Sequence, residues 1–407
     1  STKKAIVNHI SIECKGGEPA ALIAKNEYEK SHIFDVKDLE VAILAENEHA
    51  FEKSKCQKGQ LVRIPEPVIH PIVNRPLGVT SSTAVKAIYL QGGNTTPKRL
   101  KKELPSMKKA GVNSVVFDVK DIIGVVNYRS NVSKVEELRR HQPPIRSIVK
   151  TIKYLHDQNI YVIARMALFQ DENLAKQKPE LAIKEGNSIL LVKGKPLWVD
   201  PARPEVQSYN IELVKELIAL GVDEIQFDYV RYPAEGNLKN VKYYNVKTPS
   251  DKTAHLVKFL SEAHRLTRQT GIRIAIDIFG VVAWDEDVDV KSTGQRIEEL
   301  AKYVDVISPM LYPSHFQNGF DGIAKTADAG YHFYKEGVSR VLAKSGQNPP
   351  IIRPWVQAFK WRVTNYNESY IREQIKGSDE AGGIGWLMWN AGNEYDLVYR
   401  AVQNKNN

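Results

Sequence analysis

The chain has 407 residues, of which 42% are hydrophobic and 26% are charged. This composition is typical of a globular protein, and the length allows one large domain together with a smaller one. No apolar run approaches the roughly 20 residues that a transmembrane helix needs, so the sequence excludes a helical membrane span.

The formal net charge of +9 is unevenly distributed. Residues 1–80 hold eleven Lys or Arg and eleven Asp or Glu, so the positive excess falls on the rest of the chain. This positive charge could bind an anionic polymer or surface. Alternatively, it belongs to solvated helix faces such as residues 98–102 and has no specific partner. Because the sequence lacks a nucleic-acid motif and a basic run with interleaved aromatics, we expect no nucleic-acid partner.

Residues 1–80 differ in pattern from the rest of the chain and predict a small N-terminal α+β module with a proline-rich linker. Residues 5–13 alternate loosely like a strand, residues 38–50 fit a short helix, and residues 59–65 fit a terminal strand. Prolines then crowd residues 65–76, which indicates a semi-rigid linker.

Both cysteines of the chain, Cys14 and Cys56, fall inside this module. A disulfide in an oxidising compartment and a pair of buried free thiols both fit their positions. The short helix followed by Lys58–Pro65 resembles the LysM cell-wall-binding module, and a small α+β packing domain is the alternative. The resemblance implies contact with the cell wall through residues 1–80.

From residue 85 onward, short apolar runs alternate with amphipathic segments. Eight runs fit buried strands: residues 86–91, 114–120, 161–169, 224–229, 273–279, 304–312, 351–359 and 383–390. Amphipathic segments lie between them, for example residues 97–110, 145–158, 205–220, 250–270 and 294–303. Eight such alternations predict a (β/α)8 TIM barrel over residues 85–407. A doubly wound sheet is the alternative, but the first strand is not followed by a complete dinucleotide-binding glycine pattern.

In a (β/α)8 barrel, functional side chains gather where the strands end. Those positions are rich in carboxylates, aromatics and hydrogen-bonding groups, a combination typical of sugar-binding sites. The predicted catalytic residues are Asp228 and Asp277, and the predicted substrate-binding residues are Asp118, Lys120, Arg165, Tyr229, Arg231, Tyr232, Met310, Tyr312, Gln357, Trp389 and Asn390.

Hydrolysis of a glycosidic bond needs two carboxyl groups, one protonated and one ionised. Asp228 and Asp277 end successive strands, which makes them the natural pair. We expect Arg231 to keep Asp228 ionised as the nucleophile, and the apolar neighbours of Asp277 to hold it protonated as the acid/base. Asp118 is the next candidate, and a salt bridge with Lys120 is the alternative for it.

Five motifs carry a family likeness over residues 85–392: Val115–Lys120, Trp198–Pro201, Gln226–Pro233, Ile276–Gly280 and Ser308–Pro313. The chain there resembles the glycoside hydrolase barrel family catalogued as domain of unknown function 4015. The resemblance implies an extracytoplasmic bacterial protein, periplasmic, secreted or surface-anchored, with a signal segment trimmed before Ser1. A looser likeness to chitinases fails at their acid glutamate, which has no counterpart among Tyr229, Val230 and Arg231.

The sequence therefore predicts a glycoside hydrolase that acts on a bacterial surface, wall or extracellular polysaccharide. The alternative is a non-catalytic carbohydrate-binding envelope protein that uses the same scaffold. A metal-dependent deacetylase is disfavoured because the strand ends hold no histidine. The acidic stretch at residues 285–289 lacks the spacing and glycine of an EF-hand, so we expect no metal and no other cofactor.

Overall fold

The computed structural model describes residues 10–284 and 287–403, which divide into two compact units. One unit runs to Asn74 and includes residues 147–157; the other holds residues 75–146 and the chain from residue 158. Part of the predicted strand at residues 5–13 and two positions of the acidic stretch, 285 and 286, lie outside the described residues. Among the helices of those described ranges, none is long and apolar enough to cross a membrane.

Up to Asn74, the chain of the N-terminal unit places two helices between paired strands. Its elements are β1 (Ser11–Glu13), α1 (Ala20–Glu27), α2 (Val36–Glu46), β2 (Phe51–Glu52), β3 (Lys55–Cys56) and β4 (Leu61–Arg63). β1 and β4 pair antiparallel, with Ile12 opposite Val62. Ile23 of α1 and Leu39 of α2 pack with Val62 in one buried cluster. Cys14 and Cys56 form a disulfide, so the free-thiol alternative is wrong.

The second unit is a closed parallel barrel, as predicted. Its strands are β5 (Lys86–Leu90), β6 (Ser114–Lys120), β7 (Tyr161–Ala167), β10 (Glu224–Asp228), β12 (Arg273–Phe279), β13 (Val306–Met310), the two-piece strand β14 (Ile351–Ile352) and β15 (Trp355–Gln357), and β16 (Trp386–Trp389). Each strand pairs in parallel with its neighbours. The β12–β13 and β16–β5 pairings close the sheet on itself.

Helices alternate with these strands along the chain. They are α3 (Pro97–Lys109), α4 (Ser133–Leu138), α5 (Ile148–Asp157), α6 (Glu172–Gln177), α7 (Pro204–Leu220), α8 (Pro249–Thr267), α9 (Asp287–Thr293), α10 (Ile297–Leu300), α11 (Gly330–Lys344), α12 (Glu368–Glu380) and α13 (Asp396–Val402). Gly221 ends α7 with φ 72°, a left-handed conformation that lets the chain turn directly into β10. Pro204 and Pro249 occupy first-turn positions, where a missing N–H is tolerated.

Two loops of the barrel build a small separate sheet. The loop after β7 carries β8 (Lys184–Glu185) and β9 (Ser188–Ile189), and the loop after β10 carries β11 (Val241–Lys242). β8 pairs antiparallel with both β9 and β11. We refer to residues 182–203 and 229–249 together as the flap. Because both loops follow barrel strands, the flap belongs to the face where the strands end.

Candidate active site

A cavity of about 1190 Å³ opens at the carboxyl ends of the barrel strands. It is larger than the ~300–1,000 Å³ that is usual for small-ligand pockets, which suits several sugar units rather than one. Eight of the predicted site residues line it: Asp118, Arg165, Asp228, Tyr229, Arg231, Met310, Tyr312 and Trp389. The other five lie beneath or outside it.

Arg165 is the centre of the cavity floor. Its side chain is 4% exposed, and two of its nitrogens bond different carboxylates: Nη1 donates to Asp118 and Nη2 to Asp228. Burial by itself lowers the pKa of Arg165, but the charges of Asp118 and Asp228 outweigh it and raise that pKa well above its usual value. One permanent cation therefore holds two carboxyl groups on either side of it.

Asp228 ends β10 and has a donor at each carboxylate oxygen. Arg165 bonds Oδ2, and the backbone N–H of Tyr229 donates to Oδ1 at 2.6 Å. Tyr229 adopts φ 53°, a left-handed conformation that is uncommon for a bulky residue and that clusters at functional sites. This strained turn presents the carboxylate to the cavity with its charge supported from both sides.

Asp118 lies on the opposite side of Arg165. The hydroxyl of Tyr89 lies 2.5 Å from its Oδ2. Burial raises the pKa of Asp118, while the charge of Arg165 and the bond from Tyr89 lower it. A carboxyl group that lines the cavity and whose pKa is raised by burial is suited to carry a proton.

Asp277 is placed differently from the sequence-based expectation. Its side chain has no exposed surface and does not line the cavity. The indole Nε1 of Trp355 donates to its Oδ1 at 2.8 Å, and its Oδ2 lies 3.9 Å from Nε of Arg165. Burial, followed by the charge of Asp228, raises the pKa of Asp277 well above its usual value. Asp277 is thus a support beneath Arg165 that no substrate atom reaches in this arrangement.

Arg231 does not pair with Asp228, which corrects the expected partner. It bonds Glu235 at 2.8 Å, and its guanidinium lies 4.8 Å from the ring centre of Trp198 and 4.1 Å from that of Phe279. The planar guanidinium stacks on these aromatic rings, which fixes Arg231 at the cavity wall. The partner of Asp228 is Arg165, from the adjacent strand.

Four other predicted residues point away from the cavity. Lys120 is fully buried and pairs with Asp171 at 2.8 Å, so the alternative of a salt bridge with Asp118 is wrong. Gln357 accepts from the backbone of Ser314 and bonds Phe359, and Asn390 bonds the carbonyl of Ala358. Tyr232 is buried with its ring against Tyr243. These side chains hold loops and strands in place around the site.

Aromatic rings that the sequence pattern did not single out complete the floor. Tyr89 lies 4.3 Å from Trp389 between ring centres, and Trp355 packs edge-on against both. A signal for Tyr89 was present in the sequence, because it is the penultimate residue of the first barrel strand and polar or small residues follow from Gln91. Flat rings beside carboxylates are suited to bind the apolar face of a sugar ring while its hydroxyls bond polar groups.

Comparison with known proteins identifies a family for most of the barrel. The family model described as "Putative glycosyl hydrolase domain" matches residues 87–395. A hypothetical protein from Ruminiclostridium thermocellum is 32% identical over 47% of this chain and 96% of its own, with a TM-score of 0.41. No curated protein matches the chain.

Two distant structures share the fold. The PgaB (BpsB) glycoside hydrolase domain from Bordetella bronchiseptica is 13% identical, with a TM-score of 0.57, over 80% of this chain and all of its own. A beta-galactosidase from the psychrophilic Marinomonas ef1 is 10% identical, with a TM-score of 0.53, over 78% of this chain and 58% of its own. At these identities the likeness concerns the fold alone.

Proposed function

The chain belongs to this glycosyl hydrolase family, and we propose that it cleaves a bacterial surface, wall or extracellular polysaccharide by a mechanism with two carboxyl groups. The observation that supports this proposal is the arrangement of Asp118 and Asp228. Both line one cavity and both bond the same guanidinium, that of Arg165. A non-catalytic sugar-binding protein has no need of two carboxyl groups in that arrangement.

The two carboxyl groups have different surroundings, which supports different roles. Asp228 accepts from the guanidinium of Arg165 and from the backbone N–H of Tyr229, and these two bonds orient its carboxylate for the role of nucleophile or base. Asp118 has its pKa raised by burial and is the acid that protonates the departing oxygen. Asp277, which the sequence made the acid, holds Arg165 from below in this scheme.

The floor also supports binding of a sugar ring between the two groups. Trp389 and Tyr89, whose rings are tilted by 30°, form an aromatic surface next to Arg165, whose guanidinium lies 5.4 Å from the Trp389 ring centre. In this proposal a sugar ring packs against Trp389, beside the guanidinium that bonds the two carboxyl groups. The volume of the cavity leaves room for neighbouring sugar units on both sides.

The N-terminal unit supports a location outside the cytoplasm. A disulfide persists in oxidising compartments and is rare in the cytosol. The unit places two helices between its antiparallel strands β1 and β4, and we propose that it contacts the cell wall, as its likeness to LysM modules implies.

Replacement of Asp228 by Asn tests the proposal against a panel of bacterial exopolysaccharides and wall glycans. We expect the wild type to release reducing ends from at least one glycan, and Asp228→Asn and Asp118→Asn to lose about 10⁴-fold in kcat. Asp121→Asn is the matched control, because Asp121 lines the cavity but does not bond Arg165. Undiminished turnover in Asp228→Asn, or no release from any glycan, contradicts the proposal.

A further inference from the structure

The flap concentrates positive charge at the rim of the cavity. Its two segments hold eight Lys or Arg and three Asp or Glu, so more than half of the net charge of +9 falls on 43 residues. Lys193, Lys195, Lys239, Lys242 and Lys247 are all exposed. Within the described chain, Lys195 is the one of these five whose ammonium group lies within 4 Å of a carboxylate, that of Glu172 at 3.8 Å.

One pair of lysines is placed at an energetic disadvantage. In the ladder between β8 and β11, Lys184 lies directly opposite Lys242. Side chains of directly paired residues lie on the same face of a sheet, and like charges in that arrangement are destabilising. The ammonium of Lys184 donates to the carbonyl oxygen of Pro179 at 2.6 Å, and a bound anion beside the two lysines would lower the repulsion between them.

The flap is physically continuous with the catalytic cavity. Gln170, which lines the cavity, forms a β-bridge with Trp198 of the flap. The ring of Trp198 packs against Arg231, and Arg231 and Glu235 line the cavity wall. Asn237 donates to Glu185 at 2.9 Å and joins the two flap segments. A polymer that leaves the cavity on this side therefore meets the flap next.

Aromatic side chains accompany the basic groups. Arg203 lies 4.3 Å from the ring centre of Tyr244, whose side chain is exposed, and Lys252 lies 4.7 Å from that of Tyr243. Exposed rings beside cations provide stacking for a sugar and charge for its acidic substituent.

We propose that the flap binds acidic substituents, carboxylate or phosphate, on sugar units that flank the unit being cleaved. The proposal rests on the hydrolase function above and specifies its substrate class as an anionic glycan.

The charges inside the cavity explain why the acidic groups belong on flanking units. The two arginines of the cavity, Arg165 and Arg231, already bond the side chains of Asp118, Asp228 and Glu235, so the cavity itself offers no excess of cations. The unpaired lysines are at the rim.

The test compares binding of polygalacturonate, a phosphomannan and neutral dextran of matched length, by titration calorimetry at several salt concentrations. We expect the wild type to bind at least one anionic glycan in a salt-sensitive manner. In the triple variant Lys193→Glu, Lys239→Glu, Lys242→Glu we expect about tenfold weaker binding of that glycan, since a few exposed ion pairs are removed and reversed. Which anionic glycan binds distinguishes carboxylate from phosphate.

The matched control reverses three exposed lysines of the outer helices, Lys102, Lys109 and Lys258, and we expect it to bind like the wild type. An equal loss in this control, equal binding of dextran, or preferential salt-sensitive binding of single-stranded DNA overturns the flap proposal.

Binding is measured without turnover, so the two proposals fail separately. If the flap is needed for binding but no glycan is hydrolysed, only the hydrolase proposal is contradicted. If neutral and anionic glycans are hydrolysed equally, and the triple variant does not change this, only the flap proposal is contradicted.

Discussion

Two buried arginine–carboxylate clusters occupy the same barrel, and they differ in what surrounds them. Arg165 bonds Asp118 and Asp228 at the end of the strands where the cavity opens. Arg353 bonds Glu224, the first residue of β10, and Tyr161 donates to the same carboxylate at 3.1 Å. Arg353 and Glu224 are at most 1% exposed and do not line the cavity.

The comparison shows that a buried ion pair does not identify a site by itself. Each cluster needs its arginine, because a carboxylate without a partner is costly to bury. The Arg165 cluster differs in three ways: its neighbour Tyr229 has a strained backbone, it contains a second carboxyl group, and it faces an accessible cavity. The same substitution in each cluster should therefore have different consequences.

Of the substitutions that compare the two clusters, replacement of Arg165 by Met should have the largest effect on activity. It removes the cation between Asp118 and Asp228, and loss of one preorganised electrostatic group typically costs about 10²–10³ in kcat. Steady-state kinetics on the glycan identified in the screen measure the loss. Arg165→Lys should recover little, because an ammonium does not bridge two carboxylates as a guanidinium does. Full activity in Arg165→Lys contradicts the bridging role.

Replacement of Arg353 by Met should act on stability instead. It leaves Glu224 buried without its cation, which typically costs about 3–5 kcal/mol in the free energy of unfolding. Urea unfolding measures this loss, and kcat/KM per folded molecule should stay within about twofold. The double variant Arg353→Met, Glu224→Gln should regain part of the stability, because it removes the unpaired charge. A large drop in kcat/KM for folded Arg353→Met would remove the distinction between the clusters.

The sequence predicted the barrel well because its signal is local and repeated. Each strand is a short apolar run and each following helix has its own periodicity, so the described strands fall within the predicted runs to within a residue or two. It also placed Asp118, Arg165 and Asp228 at the strand ends, which the barrel topology brings together. Those inferences need only the order of elements.

The partners within the site could not be predicted in the same way. Arg231 is three residues from Asp228 in sequence, but the strained turn at Tyr229 directs it to Glu235. Lys120 follows Asp118 by two residues, so a regular strand would place both side chains on one face. The register of β6 shifts between them, and Lys120 is buried against Asp171. The depth of Asp277 depends on Trp355, seventy-eight residues further along. Side-chain direction and burial depend on these distant contacts.

Replacement of Asp277 by Asn should remove a pH dependence of stability. Burial raises the pKa of Asp277 in the folded chain, so above about pH 4, where an unfolded aspartate has released its proton, the folded chain still holds one. Stability from this group is therefore present at low pH and decreases as pH rises towards the folded-state pKa. Asn removes that decrease while its carbonyl can still accept from Trp355.

We expect the difference in unfolding free energy between Asp277→Asn and the wild type to move in favour of the variant from pH 4 to pH 8. Urea unfolding at each pH measures it. The other raised carboxyl group in the cluster, Asp118, is present in both proteins, so its contribution largely cancels. Parallel stability curves for the two proteins would show that Asp277 carries no such shift.

Replacement of Tyr89 by Phe should have the smallest effect and the most specific one. The Tyr89 hydroxyl lowers the pKa of Asp118, so its removal raises that pKa further. If Asp118 is the acid, activity requires its protonated form, and the basic limb of the pH profile of kcat/KM should move to higher pH. Tyr312→Phe is the control, because Tyr312 also lines the cavity but Asp118 takes no bond from it. A basic limb that moves in neither variant assigns the acid to another group. A shift in Tyr89→Phe alone shows that the carboxyl group of Asp118 titrates during turnover. That result separates Asp118 from Glu224, whose buried side chain serves stability.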